Sequence, residues 1–407
     1  MANARRRPVD TGWGPYRLCP FVPRQANLSV VNRAGSRLLP HLGLPAARDL
    51  GRIGVLYLVS RLAVLAAFGV AMIVRQGITF RELVAPWDVG WYLHIATNGY
   101  PSDIPMQDGR VAQNATAFFP LFPVLVRWVD RLTPLDGLQS AVAIAVVGGF
   151  VSVVLLWMLV REVVDAETAD RSAALFGFFP ASFVFLIGYS EAVMLPFAIG
   201  CLIALRRRAW VSAGLMAGIA TFARPNAVAL CLACAWAAFG AMRTRRDWKA
   251  LLAPLLSPAG LVVFTAFLWA RTGDPLVSLN TQRDGWGQRL DFGAKTIESS
   301  LSVLDRPIDV NVVVSTLSVL FVIAGLVLMI RWRPPAEIVI YTLVVIAPVL
   351  MSSTISSRPR FALTAFPLLV AYARAARETW WSAVLGASGV LLGALTLLTI
   401  TTMAATP

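Results

Sequence analysis

Long runs of apolar residues dominate the hydropathy pattern of this chain. Five runs come close to the roughly 20 residues that a helix needs to cross a bilayer, and they lie at 53–74, 140–160, 251–270, 310–330 and 379–402. Shorter runs, interrupted by Pro or Gly, lie at 172–188, 190–205, 209–222, 225–241, 336–352 and 360–373. Together the runs predict an all-α, polytopic transmembrane helical bundle over residues 53–402 with about eleven spans.

Composition supports a membrane protein. Of the 407 residues, 57% are hydrophobic and only 14% are charged, which is not the composition of a soluble globular domain. The sequence has no internal repeat, no phosphate-binding G-x-x-x-x-G-K-[ST] loop and no G-x-G-x-x-G turn. A nucleotide-using cytoplasmic domain is therefore not expected.

Lys and Arg alternate in density between successive loops. The net charge is +14, and the excess lies in residues 1–52 and in every second connection after them, which predicts a cytoplasmic amino terminus. Residues 1–52 are rich in Arg, Pro and Gly and are expected to form a disordered arm. The two long loops, 75–139 and 271–309, then lie on the outer face, where we expect the chemistry. The positive charge indicates contact with anionic membrane lipids and not with nucleic acid.

Residue types that bind metals or carry redox chemistry are scarce. The chain has only His41 and His94, and Cys231 and Cys234 lie in an apolar run, where we interpret them as packing residues. No metal and no cofactor are expected. Arg far outnumbers Lys and Ala is abundant, as in GC-rich prokaryotes, so the expected location is the plasma membrane of a prokaryote.

The most informative segment is PWDVGWYLHIATNGY, at 86–100 in the first outer loop. It predicts a short helix over 89–98, and an aromatic, Pro-rich segment at 118–128 predicts a second helix in the plane of the lipid headgroups. In the second outer loop, DGWG at 284–287 is interpreted either as an ordinary loop or as a mobile lid over an acceptor.

Two interpretations stay open for the polar and aromatic residues of the first segment. Asp88 either caps the helix that follows it or acts as a general base at the membrane surface. Trp87, Trp91 and Tyr92 either belong to an interfacial aromatic belt or form a wall against which a sugar stacks.

Polar residues at other predicted span ends have similar alternatives. Glu191 is interpreted as a helix-capping charge or as part of the site. Arg224 and Asn226 form either a simple hairpin tip or a binding site for phosphate or sugar. Arg358 and Arg360 are cations at headgroup depth, suited to a lipid phosphate or to plain snorkelling.

Several short motifs occur in order along the chain: Trp87-Asp88, FFPLFP at 118–123, Tyr189-Ser190-Glu191, Arg224-Pro225-Asn226, and Arg360-Phe361 followed by Phe366-Pro367. Together, over about residues 53–373, they resemble the PIG-V family of mannosyltransferases, whose eukaryotic members add the second mannose to glycosylphosphatidylinositol. The resemblance implies a GT-C type glycosyltransferase with an outer-face active site. Eukaryotic members commonly have Ser-Asn after the Arg, where this chain has Pro225-Asn226.

The resemblance also implies roles for residues. The substrates are expected to be a polyprenyl (dolichyl-type) phosphate mannose donor and a glycolipid or glycan acceptor, and transfer is expected to invert the anomeric carbon. Asp88 matches the family's acidic residue in the first outer loop and is the expected general base, and Arg360 with Arg358 or Arg224 stabilises the leaving phosphate. The expected substrate-binding residues are Trp87, Trp91, Tyr92, Glu191 and Asn226.

The alternative function is a multi-spanning transporter or lipid flippase, and a non-catalytic lipid-binding protein is a third interpretation. Transporters usually place ionisable groups near the bilayer midplane and show repeated halves, whereas the candidate charges here crowd one face. An enzyme predicts that Asp88, Glu191, Arg224 and Arg360 converge on one outward-opening cavity.

Overall fold

The computed structural model describes residues 45–304, 309–354 and 357–402. The expected arm lies, up to residue 44, outside the described residues. The described chain is mostly helical, which confirms the all-α class. A short antiparallel hairpin, β1 (Met106–Gln107) and β2 (Arg110–Val111), is an addition to the expected helices.

The helices, in chain order, are α1 (Ala47–Val74), α2 (Phe80–Val84), α3 (Asp88–Asn98), α4 (Leu121–Leu132), α5 (Gly137–Val163), α6 (Ala166–Gly177), α7 (Glu191–Arg206), α8 (Trp210–Ala223), α9 (Val228–Arg245), α10 (Leu252–Leu256), α11 (Ala259–Thr272), α12 (Val277–Asn280), α13 (Ala294–Leu301), α14 (Val310–Trp332), α15 (Ala336–Met351), α16 (Arg358–Thr364), α17 (Pro367–Ala375) and α18 (Glu378–Thr402). Turns of 3-10 helix lie at Ala115–Ala117, Pro180–Phe185, Pro225–Ala227, Trp248–Leu251 and Ser302–Leu304, and a π-helical turn lies at Thr281–Gly285.

Among the described residues, 6 helical segments are long and apolar enough to cross a membrane: Ala47–Val74, Gly137–Val163, Pro225–Arg245, Trp248–Thr272, Val310–Trp332 and Glu378–Thr402. These include a counterpart for each of the five long apolar runs. The apolar helices α8 and α15 are shorter. The total of about eleven spans therefore stays a prediction.

Prolines break three of the apolar runs into shorter helices. Pro180 follows the end of α6, Pro258 separates α10 from α11, and Pro367 separates α16 from α17. Proline has no N–H to donate and disfavours helical geometry in the residue before it, which accounts for the interruption of the helices at these positions. One result is that Arg360 lies on a helix of only 7 residues, which is positioned by its neighbours.

The close approach of α5 and α7 depends on glycine. A Cβ on Gly148 would overlap the backbone carbonyl of Ala192, and a Cβ on Gly149 would overlap Tyr57 and Phe185. Ala192 is the second residue of α7, directly after Glu191. The absence of side chains at these two positions therefore fixes the depth at which the start of α7 lies in the bundle.

We expect Gly148→Ala to lower the free energy of unfolding by about 1–3 kcal/mol, because the added methyl group meets backbone and not a side chain that can move. Unfolding in detergent, followed by circular dichroism, measures the change. Gly393→Ala in α18, where a Cβ would meet nothing within 4 Å, is the matched control and should leave stability unchanged or slightly raised. Equal stability of the two variants would contradict this account of the α5–α7 contact.

Candidate active site

Asp88 is the first residue of α3, and its carboxylate points to another helix. In the described part of the chain it makes no capping hydrogen bond, so its interpretation as a helix cap is wrong. Trp87 precedes it with φ 45° and ψ −107°, a costly conformation for a residue with a Cβ. After this turn the Asp88 carboxylate contacts Arg360. Nη1 of Arg360 donates a hydrogen bond to Asp88 Oδ2 at 2.6 Å.

Arg360 links Asp88 to a second carboxylate. Its Nε lies 3.0 Å from Oε1 of Glu191, at the start of α7. Nη1 of Arg224, directly after α8, lies 2.7 Å from Glu191 Oε2. We call Asp88, Arg360, Glu191 and Arg224 the charged quartet. Four separate parts of the chain thus form one row in which acids and bases alternate.

The members of the quartet differ in exposure, and the difference separates their roles. The Glu191 side chain is 0% exposed, Arg360 8% and Arg224 10%, whereas Asp88 is 20% exposed. A buried carboxylate loses several kcal/mol of hydration, which the two guanidinium groups beside Glu191 offset. Glu191 therefore has a structural position between two cations, and Asp88 is the member most accessible to another molecule.

Two hydroxyl groups extend this network to α3. Arg224 Nη1 donates to Ser190 Oγ at 2.9 Å, and Ser190 Oγ lies 2.7 Å from the hydroxyl of Tyr92. Burial raises the pKa of Tyr92 above its usual range, so the phenol stays protonated at neutral pH. The same helix that carries Asp88 is therefore tied a second time to the arginine network.

Several polar atoms beside the quartet have no hydrogen-bond partner among the described residues. Within the quartet, Glu191 Oε1 and Oε2 and Arg360 Nε form ion pairs without hydrogen-bond geometry; outside it, both side-chain polar atoms of Asn226 and the hydroxyl of Tyr189 have no partner in the described part of the chain. The Tyr189 ring lies under the guanidinium of Arg360, 5.0 Å from its carbon to the ring centroid. Unpartnered buried polar groups are costly, so these atoms are available to a polar ligand.

An aromatic cluster joins the two long loops above α3. Trp91 stacks on Phe118 with ring centroids 5.8 Å apart, and Trp286 packs edge-on to both, at 5.8 and 5.4 Å. Tyr92 contacts Phe118 and Phe122 at 5.4 and 5.0 Å. Trp91 and Tyr92 therefore hold α3 in place through ring contacts. The DGWG segment lies against the first loop through Trp286.

Arg358 lies outside the quartet. It is 0% exposed and donates to Ser315 Oγ at 2.7 Å and to Thr296 Oγ1 at 2.6 Å. Residues two apart on a helix point to nearly opposite sides, so Arg358 and Arg360 cannot face the same group. Of the cations predicted to bind phosphate, the structure brings together Arg360 and Arg224 only.

Two cavities lie at opposite ends of α3. The first, of about 550 Å³, is lined by Pro86 and Trp87 together with residues at the end of α1, from α2 and from α18, among them Arg75 and Glu82. Its lining therefore includes Trp87, the residue before Asp88, but not Asp88 itself. The second, of about 390 Å³, lies at the other end of α3, between α4, α8 and α11. In the described ranges no three His, Cys, Asp or Glu side chains come together as metal ligands.

Comparison with known proteins relates this architecture to membrane glycosyltransferases. The sequence pattern of the family described as mannosyltransferase (PIG-V) matches residues 60–271, which is more than half of the chain. A search of curated protein sequences gave no significant match.

Several solved structures align with this chain, among them two of ArnT and one of an archaeal oligosaccharyltransferase. ArnT from Cupriavidus metallidurans, bound to undecaprenyl phosphate, aligns with a TM-score of 0.51 at 12% identity, over 88% of this chain and 76% of ArnT. The apo form of ArnT aligns at 0.48 and 14% identity, over 84% and 63%. The apo oligosaccharyltransferase of Archaeoglobus fulgidus aligns at 0.46 and 13% identity, over 83% and 56%.

The fold is thus that of an integral membrane glycosyltransferase of the GT-C type, as the ArnT alignment with bound undecaprenyl phosphate shows. The chain belongs to the PIG-V family of mannosyltransferases. Sequence motifs had named all four members of the quartet, but they gave Ser190 and Trp286 no role. The sequence feature that could have pointed to Ser190 is its position between Tyr189 and Glu191 in one of the motifs.

We expect Arg224→Gln to lower the free energy of unfolding by about 3 kcal/mol, because Glu191 then keeps only one cation in a buried place. Adding Glu191→Gln should recover part of this loss, which a double-mutant cycle of unfolding in detergent measures. Arg81→Gln is the control, since its pair with Asp136 is exposed and worth about 1 kcal/mol or less. An Arg224 variant as stable as the Arg81 variant would show that the quartet is not a buried, coupled network.

Proposed function

We propose that this protein transfers a mannosyl group from a polyprenyl phosphate mannose to a hydroxyl of a glycolipid or glycan acceptor on the outer face of the membrane. Asp88 is the general base and Arg360 binds the donor phosphate. The observation that carries the proposal is the 2.6 Å contact between an accessible carboxylate and a buried guanidinium. Membership of the PIG-V family supports mannose as the sugar, and ArnT, which shares the fold, binds undecaprenyl phosphate.

The pairing of Asp88 with Arg360 suggests an order of events. While Asp88 Oδ2 accepts the hydrogen bond from Arg360, this oxygen is not free to take a proton from an acceptor. An incoming phosphate carries oxygens of the same kind and competes with Asp88 for Nη1 of Arg360. Binding of the donor therefore frees the Asp88 carboxylate to accept a proton. The base becomes active only when the donor is in place.

The transfer reaction then needs only one base. The acceptor oxygen forms a bond to the anomeric carbon while the bond from that carbon to the phosphate oxygen breaks, and its electron pair leaves with the phosphate. The acceptor proton moves to Asp88, and attack opposite the leaving group inverts the carbon. Arg360 meets the charge that grows on the phosphate, while Glu191 holds the Nε side of the same guanidinium.

Substrate contacts come from the residues around the quartet. The cavity of about 550 Å³ lined by Trp87 falls within the roughly 300–1,000 Å³ typical of small-molecule sites, and Trp87 is the residue before Asp88. Asn226, with its unpartnered amide, is the proposed polar contact to the sugar. Trp91 and Tyr92 support α3 in this proposal, because their rings pack against other aromatic residues. The outer-face location is supported by the basic residues of the opposite loops.

A transporter or flippase remains the contrasting function, and no observation favours it. An enzyme was expected to bring Asp88, Glu191, Arg224 and Arg360 together at one outward-opening cavity. The four residues form one network, but none of them lines either of the two cavities described above. Their position at helix starts and ends, beside the long loops, suits a site at the membrane surface.

We expect Asp88→Asn to reduce mannosyl transfer at least about 100-fold, because the amide cannot accept the proton. The assay follows radiolabelled mannose from polyprenyl phosphomannose into endogenous acceptors in membranes that contain wild type, variant or no protein. Asp103→Asn, an exposed carboxylate of the same loop, is the matched control and should keep full activity. Full transfer by correctly inserted Asp88→Asn would exclude this residue as the base.

We expect Arg360→Lys to raise the KM for the donor and to lower kcat, together by about tenfold or more, because lysine cannot reach Asp88 and Glu191 at the same time. Arg358→Lys, normalised to the amount of folded protein, should keep the donor KM, since among the described residues Arg358 donates its hydrogen bonds to Ser315 and Thr296 and not to the quartet. Kinetics with purified donor separate the two. A raised donor KM in the Arg358 variant alone would reassign the phosphate contact.

A further inference from the structure

We propose that the second cavity, at the carboxyl end of α3, binds one anionic phospholipid and that this site is separate from the charged quartet. The cavity holds about 390 Å³ between α3, α4, α8 and α11. Helix α3 has 11 residues and carries Asp88 at its other end, which places the two sites about 15 Å apart along the helix.

The apolar part of the cavity opens toward the bilayer. Val263 and Phe267 line it from α11 and are 57% and 46% exposed. They belong to the segment Trp248–Thr272, which is apolar and long enough to span a membrane, so surface exposed on this helix faces lipid chains. Phe222 and Phe264 form the inner wall. An acyl chain can therefore enter from the membrane without crossing water.

The polar part of the cavity is positive. Arg127 and Arg271 line it, and none of the residues that line it is acidic. Arg271 uses Nε to donate to the backbone carbonyl of Tyr100 at 2.7 Å, and no ion pair holds it in the described part of the chain. Its exposed guanidinium keeps two further nitrogen groups for an anion.

Arg127 connects this positive site to α3 itself. Its guanidinium donates to the backbone carbonyls of Ile95, Ala96 and Thr97, the last turn of α3. A cation at this end offsets the partial negative charge of the helix terminus. A phosphate bound between Arg127 and Arg271 would therefore be held by the same group that ends α3, and it would fix the helix from the end opposite Asp88.

The combination of an apolar chain site with two cations matches a phospholipid with a net negative headgroup. The glycosyl donor does not fit the same place, because its phosphate has to reach Arg360, beside Asp88, at the far end of α3. The proposal therefore concerns a resident lipid that orders α3 and not a substrate. The exclusion of the donor rests on the proposed function, whereas binding of an anionic phospholipid is measured without any transfer reaction.

The test is lipid binding to purified, delipidated protein. Phosphatidylglycerol and phosphatidylcholine are added in separate titrations, and thermal unfolding gives the apparent affinity of each. We expect phosphatidylglycerol to stabilise wild type more strongly, and Arg271→Gln to weaken its apparent affinity about tenfold. Arg271→Lys should keep most of the effect. Arg131→Gln, an exposed arginine of α4 outside the cavity, is the matched control and should behave as wild type.

A second variant tests the chain site without a change of charge. Val124→Trp fills the cavity from α4 and should also abolish the preference for phosphatidylglycerol. Equal stabilisation by both lipids in every variant would overturn the proposal. So would Arg271-dependent binding of undecaprenyl phosphate but not of phosphatidylglycerol, which would make the cavity a substrate site. Because the readout is binding, neither result depends on mannosyl transfer.

Discussion

Glu191 is a carboxylate with no exposed surface inside a membrane protein, and much of the site follows from the need to compensate its charge. The buried Glu191 carboxylate loses its hydration, and nearby cations compensate for the free energy of that loss. Arg224 supplies one from the residue that follows α8 and Arg360 supplies the other from α16, and Arg360 also forms an ion pair with Asp88. The close packing of α5 and α7 at Gly148 sets where this carboxylate lies.

Helix α3 connects the buried charged quartet to both long loops. Its first residue contacts the buried network, and its middle packs through Trp91 and Tyr92 against rings from both loops. Arg127 of α4 holds its last turn. A short helix of this kind has little stability of its own, so its orientation depends on these contacts. The position of the Asp88 carboxylate is therefore a property of the packed loops as much as of the bundle.

The hydropathy pattern was sufficient for the five long spans and the all-α class, because a span needs only length and apolar content. The sequence motifs also identified both Asp88 and Arg360 as site residues, and these two are distant in sequence but hydrogen-bonded in the fold. The choice between Arg358 and Arg360 could not be made from sequence, since it depends on the rotation of α16 against its neighbours. The capping interpretation of Asp88 failed because Trp87 adopts a positive φ that no pattern signals. The contact of Trp286 with Trp91 is long-range and has no local signature.

The quartet alternates two acidic with two basic side chains, so its formal charges balance. A site with balanced formal charges attracts free anions less strongly than a cluster of arginines does. Free phosphate and soluble sugar phosphates therefore gain little by approaching it. The membrane-anchored donor proposed above would reach the site by lateral diffusion, and its effective concentration would be its mole fraction in the bilayer. Selection against water-soluble competitors can thus reside in the charge balance of the site, with no gate or lid to exclude them.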